Sequence, residues 1–190
     1  MNQITYPTRD AWLADRHNRI GASESPGILG QGYAGESAFN TYVRKVSPTL
    51  DEVIDATVQE RMDIGTAMEP TIRNLFEERT GLKVLFDDTP VVHVSRSRSH
   101  LGATLDGAVI DGDGIAPFEA KNISEYVASE WENGSLPLRV QIQTQDQMYV
   151  TETGWAYIAA LLGGRRFVWQ RVERNQRFIE AMLLPVLDDF

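Results

Sequence analysis

The sequence predicts an α/β (α+β) domain whose helices flank a central mixed β-sheet. Two observations lead there. Short β-prone runs such as "PVVHVSRS", "GWAYIAALLGG" and "RRFVWQRVER" are bounded by turn residues. Between and after them lie stretches with apolar residues three and four apart, as in "MEPTIRNLFEERTG" and "NQRFIEAMLLPVLDDF". No internal repeat and no low-complexity linker interrupts the 190 residues, so one domain spanning 1–190 is expected. A chain of that length buries about 70% of the surface its unfolded form exposes.

The elements follow in order. "DAWLADRHNRI" places Trp12, Leu13 and Arg16 at helical spacing, and "GASESPGILGQGYAG" reads as turn-rich. A short helix is expected around "SAFNTYVRKVS", then a helical pattern from about Asp51 to Gly81, with Ile72, Leu75 and Phe76 on its apolar side. Gly81 suits the C-cap, and Pro70 suits a first turn or a kink, because it has no amide donor. "KVLFDD" and "PVVHVSRS" read as strands, and a hairpin follows them. "RVQIQTQDQMYVTE" has helical or mixed character, two more strands come next, and a last helix starts near Asn175.

Composition excludes several chemistries. The absence of cysteine rules out disulfides, a thiolate zinc site, a cysteine nucleophile and a cysteine-ligated iron–sulfur cluster. No run approaches the ~20 apolar residues of a membrane span, and "MNQITYPTRDAW" lacks a signal core, so a cytoplasmic protein without membrane contact is expected. A net charge of −9 argues against a surface that coats nucleic acid non-specifically. Basic residues nevertheless cluster in "RDAWLADRHNR", "SRSRSH" and "GGRRFVWQRVERNQR", so a local cationic groove is compatible with the total. His17, His93 and His100 show no ligand spacing.

The informative stretch is "TLDGAVIDGDGIAPFEAKN", residues 104–122. A turn centred on "DGDG" pairs Asp106 with Glu119 and Thr104 with Lys121. Alternation then puts Asp106, Glu119 and Lys121 on one face and sends Leu105, Val109, Phe118 and Ala120 into the core. Two facing carboxylates repel each other, and a hard divalent cation removes the conflict. A surface hairpin whose Lys121 makes an ordinary ion pair satisfies the same spacing.

The Asp106…Glu119-x-Lys121 pattern resembles the PD-(D/E)xK, restriction-endonuclease-like core, in which one strand supplies Asp and the next Glu-x-Lys. Further stretches are similar to the lambda-exonuclease-like, or YqaJ-type, viral recombinase family. They are "W…R…GAS" at Trp12, Arg16 and Gly21–Ser23, "GTAMEP…LFEERTG" around Glu69, "GATLDG", "FEAKN", and Q-x-Q-x-x-M-x-V-T from Gln143 to Thr151. Their order and separations agree from about residue 12 to residue 180.

The resemblance implies roles. Asp106, Glu119, the carbonyl of Ala120 and Glu69 would hold Mg²⁺ (or Mn²⁺), Lys121 would activate the attacking water, and Arg16, Ser23 and Gln143 would lie near a 5′-phosphate and the scissile region. Where the family often has an aromatic residue shortly before the first glutamine this chain has Val140, and the M-x-V-T tail selects Gln143 among Gln141, Gln143, Gln145 and Gln147. Blander roles stand beside these. Glu69 could be a carboxylate at a helix N-terminus, Ser23 an N-cap, Arg16 part of a solvated face, and the glutamines a polar stripe.

By resemblance the activity is that of a Mg-dependent deoxyribonuclease, a 5′→3′ exonuclease on double-stranded DNA ends. It would leave 3′ single strands for phage-type recombination, as a trimeric ring that hands the strand to a single-strand annealing protein. A structure-specific or restriction-type endonuclease, or a non-catalytic DNA-binding module of the same fold, are the alternatives. No GxxxxGK[ST] pattern is present, so ATP-driven movement is not expected.

Overall fold

The computed structural model describes residues 2–47 and 55–190. Among the described residues, nine strands form two mixed sheets. The first has the order β1 (Asn2–Thr5), β4 (Val91–Val94), β5 (Leu101–Ala103), β2 (Ile20–Gly21). The second, the central mixed sheet, runs β3 (Lys83–Leu85), β6 (Gly107–Asp111), β7 (Gly114–Ile123), β8 (Trp155–Leu162), β9 (Arg166–Glu173). The helices are α1 (Arg9–Asp15), α2 (Ser25–Ile28), α3 (Ala38–Val46), α4 (Ala56–Thr80), α5 (Leu138–Thr151), α6 (Gln176–Phe178) and α7 (Leu184–Asp189).

Most sequence expectations land on these elements. The turn-rich stretch after Ile20 contains α2, and a four-strand sheet stands beside the central one. The helical pattern expected from Asp51 is seen from Ala56, and residues 51–54 lie outside the described residues. Pro70 is therefore interior to α4 and not in its first turn. Gly81 does cap α4, in the left-handed conformation (φ 73°) that glycine adopts without a Cβ clash.

α4 lies on one side of the central sheet. Ile72 and Phe76, both fully buried, pack against Val109, Phe118, Ala120 and Tyr157, with the Phe76 and Phe118 ring centroids 5.0 Å apart. Residues from the other face of the sheet, Ile158, Ala160 and Leu162 among them, meet Trp131 and Val140. β8 is buried on both faces, which is why "WAYIAALL" reads as an unbroken apolar run instead of alternating.

α5 is wedged between the two sheets. Val140 faces the central one, while Ile142 and Val150 join a third core with Leu101, Ile179 and Leu183. Its polar residues are buried too: Thr144, Asp146 and Gln147 are fully enclosed. Each must find a partner inside. The Thr144 hydroxyl donates to the Val140 carbonyl (2.8 Å), and the Ser25 hydroxyl of α2 donates to Asp146 Oδ2 (2.5 Å). Asp146 Oδ1 has no partner, and burial pushes the carboxyl up to about 7.

Folded Asp146 therefore keeps a proton that the unfolded chain, titrating near 3.8, has lost. Stability from this group is fully present below that lower value and is lost as pH rises to about 7. Melting temperatures taken from pH 5 to 8 should fall less steeply for Asp146→Asn than for wild type, the difference being on the order of 3 kcal/mol at most. Parallel slopes in the two proteins would contradict this account.

Candidate active site

The hairpin register expected from the sequence is the one observed. Gly107 pairs with Phe118, Val109 with Ala116 and Asp111 with Gly114, around a two-residue loop of Gly112 and Asp113. β6 stops at Gly107, whereas β7 continues to Ile123 with β8 on its far side. Residues 119–123 of β7 are thus unpaired on the β6 side, and the freed Ala120 amide donates to Asp106 Oδ2 (2.9 Å). Asp106 is the residue just before β6, so the expected pairs Asp106–Glu119 and Thr104–Lys121 fall beyond the end of the ladder at Gly107 and Phe118.

One expected neighbour is misplaced. Strand alternation predicts Leu105 in the same core as Val109, Phe118 and Ala120. It packs instead against the core built on Leu101 and Ile142. Residues 104–106 cross from one sheet to the other, so strand alternation is not carried through them.

Glu119 is held by three donors. Lys121 Nζ lies 2.6 Å from its Oε1, Gln143 Nε2 donates to the same oxygen (2.6 Å), and Gln147 Nε2 donates to Oε2 (2.5 Å). Lys121 also donates to Gln143 Oε1 (3.0 Å), closing a ring of polar contacts. The Lys121–Glu119 ion pair is no surface pair: the two side chains are 24% and 4% exposed. Gln143 and Gln147 are one helical turn apart on α5 and serve the same carboxylate. Gln145 turns the other way, to the Glu173 carbonyl and the Asn175 amide, and Gln141 reaches the Leu136 carbonyl. A helical reading of the run would have joined Gln147 to Gln143.

Glu69 stands at the middle of α4, so a helix N-terminal role does not apply to it. Its charge interacts with those of Arg73, Glu119 and Lys121, and burial holds its carboxyl above the usual range. Asp106 is raised well above the usual range, by burial first and then by Glu119 and Glu69. Burial pulls Lys121 down, but Glu119 and Asp106 outweigh it and keep the amine in its ammonium form. Arg73, also on α4, links that helix to the backbone at Asp106. It donates to the Asp106 carbonyl (3.0 Å), lies 3.8 Å from Glu69, and stacks 3.7 Å from the Phe86 ring centre.

The donor set fits a hard divalent cation. Three carboxylates influence one another here, Glu69 and Asp106 being made reluctant to ionise by burial and by neighbouring acids, and a dication would relieve that repulsion. Among the described residues, no three acidic or histidine side chains already surround one point as ligands. At Glu119 both oxygens are turned to Lys121 and the two glutamines. At Ala120 the observed contact is made by the amide, to Asp106.

A cavity of about 120 Å³ opens beside Lys121, lined by Ser23, Tyr33, Glu36, Lys121, Arg139 and Gln143 among others. Ser23 is exposed there and does not cap α2, whose N-cap is Glu24. Arg16 is apart from this lining, exposed, with its guanidinium 5.2 Å from the Trp12 ring centre. Much of the basic charge that the sequence clusters is met by acids: Arg19 by Asp15, Arg98 by Asp188, Arg171 by Asp113 and Glu173.

This architecture has known counterparts. The crystal structure of an alkaline exonuclease (LHK-Exo) from Laribacter hongkongensis superposes with a TM-score of 0.70, covering 95% of this chain and 89% of that one at 18% identity. The structure of LHK-Exo in complex with dAMP gives 0.70 at 19% identity, over 94% and 89% of the two chains. The fold is therefore that of an alkaline exonuclease. The family model for the YqaJ-like viral recombinase domain matches residues 11–154, and the chain belongs to that family. It is also 29% identical over 177 residues to the uncharacterized protein YqaJ of Bacillus subtilis (strain 168), covering 92% of this chain and 53% of that relative. The chain thus spans about half the length of the curated relative it matches.

The electrostatics make a prediction opposite in sign for neighbouring acids. Asp106→Asn removes a carboxyl whose ionised form burial and the neighbouring acids disfavour, while keeping an acceptor for the Ala120 amide. In chelator at pH 8 it should raise the melting temperature by about 2–5 °C. Glu119→Gln strips the ammonium of its partner and should lower it. Equal shifts in one direction, read by differential scanning calorimetry, would refute the proposed balance.

Proposed function

We propose that the chain is a metal-dependent DNA exonuclease, acting as one nuclease domain over residues 1–190. Its substrate would be the 5′ end of double-stranded DNA, and its product a 3′ single strand for phage-type recombination. The observation that carries this reading is the convergence of Asp106, Glu119, Glu69 and Lys121 at the unpaired stretch of β7. Membership of a recombinase family and the fold shared with an alkaline exonuclease support it.

Asp106 and Glu119, with Glu69 and the Ala120 carbonyl, would hold Mg²⁺ or Mn²⁺. Bound there, the ion would lower the pKa of a water and offset charge building on the phosphate. The rest is supplied by the chain itself. Gln143 bridges Lys121 and Glu119 and so fixes where the ammonium points. As an ammonium, Lys121 donates: it orients a water or a phosphate oxygen. It can take a proton only when the negative charge of the neighbouring acids is compensated, because those acids are what hold its proton in place. Ser23 and Gln143 line the cavity next to it, where a phosphate group would sit.

In this reading the protein works in the cytoplasm, assembles into a trimeric ring around duplex DNA and passes the strand to a single-strand annealing protein. Among the described residues, no helix is long and apolar enough to cross a membrane.

The test is digestion of an end-labelled linear duplex and of a covalently closed circle. Wild type with Mg²⁺ should shorten the linear DNA from its 5′ ends and leave the circle intact. Chelator should abolish cutting, and Lys121→Ala should slow it by about 10²–10⁴-fold. Cleavage of the circle would make the enzyme an endonuclease, and equal rates for Lys121→Ala and wild type would remove the site.

A further inference from the structure

Two buried glutamines of α5, Gln145 and Gln147, are used differently. Gln145 is matched at both ends: its Nε2 donates to the Glu173 carbonyl (2.9 Å), and its Oε1 accepts from the Asn175 amide (2.7 Å). It ties α5 to the end of β9. Gln147 is fully enclosed. Its Nε2 donates to Glu119 Oε2 (2.5 Å), and its Oε1 has no partner among the described residues. A buried acceptor left unmatched is costly, and a methionine would fill the same space without it. What the glutamine adds is its contact to Glu119. The amide cannot usefully turn over, because Oε1 facing the carboxylate would repel it.

The two oxygens of Glu119 are therefore held unequally. Oε1 meets Lys121 and Gln143, which are half-buried and line the cavity. Both side chains have open space to turn into. Oε2 meets Gln147, which is sealed in the core and has none. A cation that arrives from the cavity can release Oε1 from its partners, whereas Oε2 stays occupied.

How many oxygens a carboxylate offers bears on which ion it suits. Mg²⁺ demands a near-octahedral shell of short bonds, while the larger Ca²⁺ gathers roughly six to eight oxygens and accepts both from one carboxylate. A glutamate with one oxygen withheld favours the smaller ion.

We propose that Gln147 is a positioning residue that withholds Oε2 of Glu119 and so biases the site toward Mg²⁺ or Mn²⁺ and against Ca²⁺. The assignment rests on the nuclease reading above and adds to it the side chain that sets ion choice. Gln147 occupies one of the unspecified positions of Q-x-Q-x-x-M-x-V-T, so the family resemblance does not assign it.

The test is isothermal titration of chelator-treated protein with Mn²⁺ and, separately, with Ca²⁺. In Gln147→Met the affinity for Mn²⁺ should fall by about 10–100-fold, as for other side chains that orient a metal ligand. Ca²⁺ should bind as well as before or better, because the freed Oε2 gives it a second oxygen, so the Mn²⁺:Ca²⁺ preference drops about tenfold or more. Gln145→Met removes an equally buried glutamine of the same helix and should keep the preference within about twofold of wild type. A merely structural Gln147 would weaken both ions alike. An unchanged preference in Gln147→Met, or an equal drop in Gln145→Met, would overturn the proposal. A crystal of wild type soaked in MnCl₂ tests it without a variant: the ion should meet Glu119 through Oε1, with Gln147 still on Oε2. Both oxygens on the ion would overturn it as well. Failure of the nuclease reading has a different signature, in which neither ion binds at Asp106 and Glu119 of wild type.

Discussion

Three acids and an ammonium share one poorly hydrated corner, and the rest of the structure is arranged around keeping them there. Left alone, the carboxylates would separate or take up protons. What prevents separation is the mismatch in length between two paired strands. β7 runs on past the end of β6, so Glu119, Ala120 and Lys121 lie along an open edge, and the Ala120 amide ties Asp106 across the gap. The backbone thus fixes Asp106 by a hydrogen bond that favours its ionised form against the burial that disfavours it.

Around that edge, each supporting element does two jobs. α4 fills the core with Ile72 and Phe76 and, on the turns beside them, supplies Glu69 and Arg73. α5 carries Gln143 and Gln147 to Glu119 on one side and buries Ile142 and Val150 on the other. A helix enclosed on several faces would ordinarily be apolar all round. Here its polar residues are kept because each has a specific partner: Glu119, the Ser25 hydroxyl, or the backbone near Glu173. Asp146 and Gln147 each leave one oxygen unmatched, and burial lets Asp146 retain its proton to near neutral pH.

The cleft is correspondingly local in its electrostatics. The chain is acidic overall, and many arginines outside the site are held by nearby carboxylates. The cations that face the cavity, Lys121 and Arg139, are each oriented by an acid and by a second group, Gln143 in one case and the Tyr33 ring in the other. Net charge therefore says little about what this pocket meets, because orientation at short range outweighs a diffuse field screened by salt.

The hairpin register, the helix capped by Gly81, the buried strand β8 and the grouping of Asp106, Glu119 and Lys121 could all be read from sequence, since each rests on residues close together in the chain. Periodicity and turn chemistry act over a few residues, and there they are strong. The first sheet was not legible, because its short strands pair at long range, Asn2 with Val94 and Ile20 with Leu101. Nor were Arg73, Gln147 or Arg139, whose types are common on solvated helix faces and become informative only when a neighbouring element closes over them. The sequence by itself determined which local segments carry the acids and the lysine. The tertiary structure decided which distant side chains neutralise, orient and enclose them, because burial and electrostatic partnership are properties of packed surfaces that no stretch of chain possesses alone.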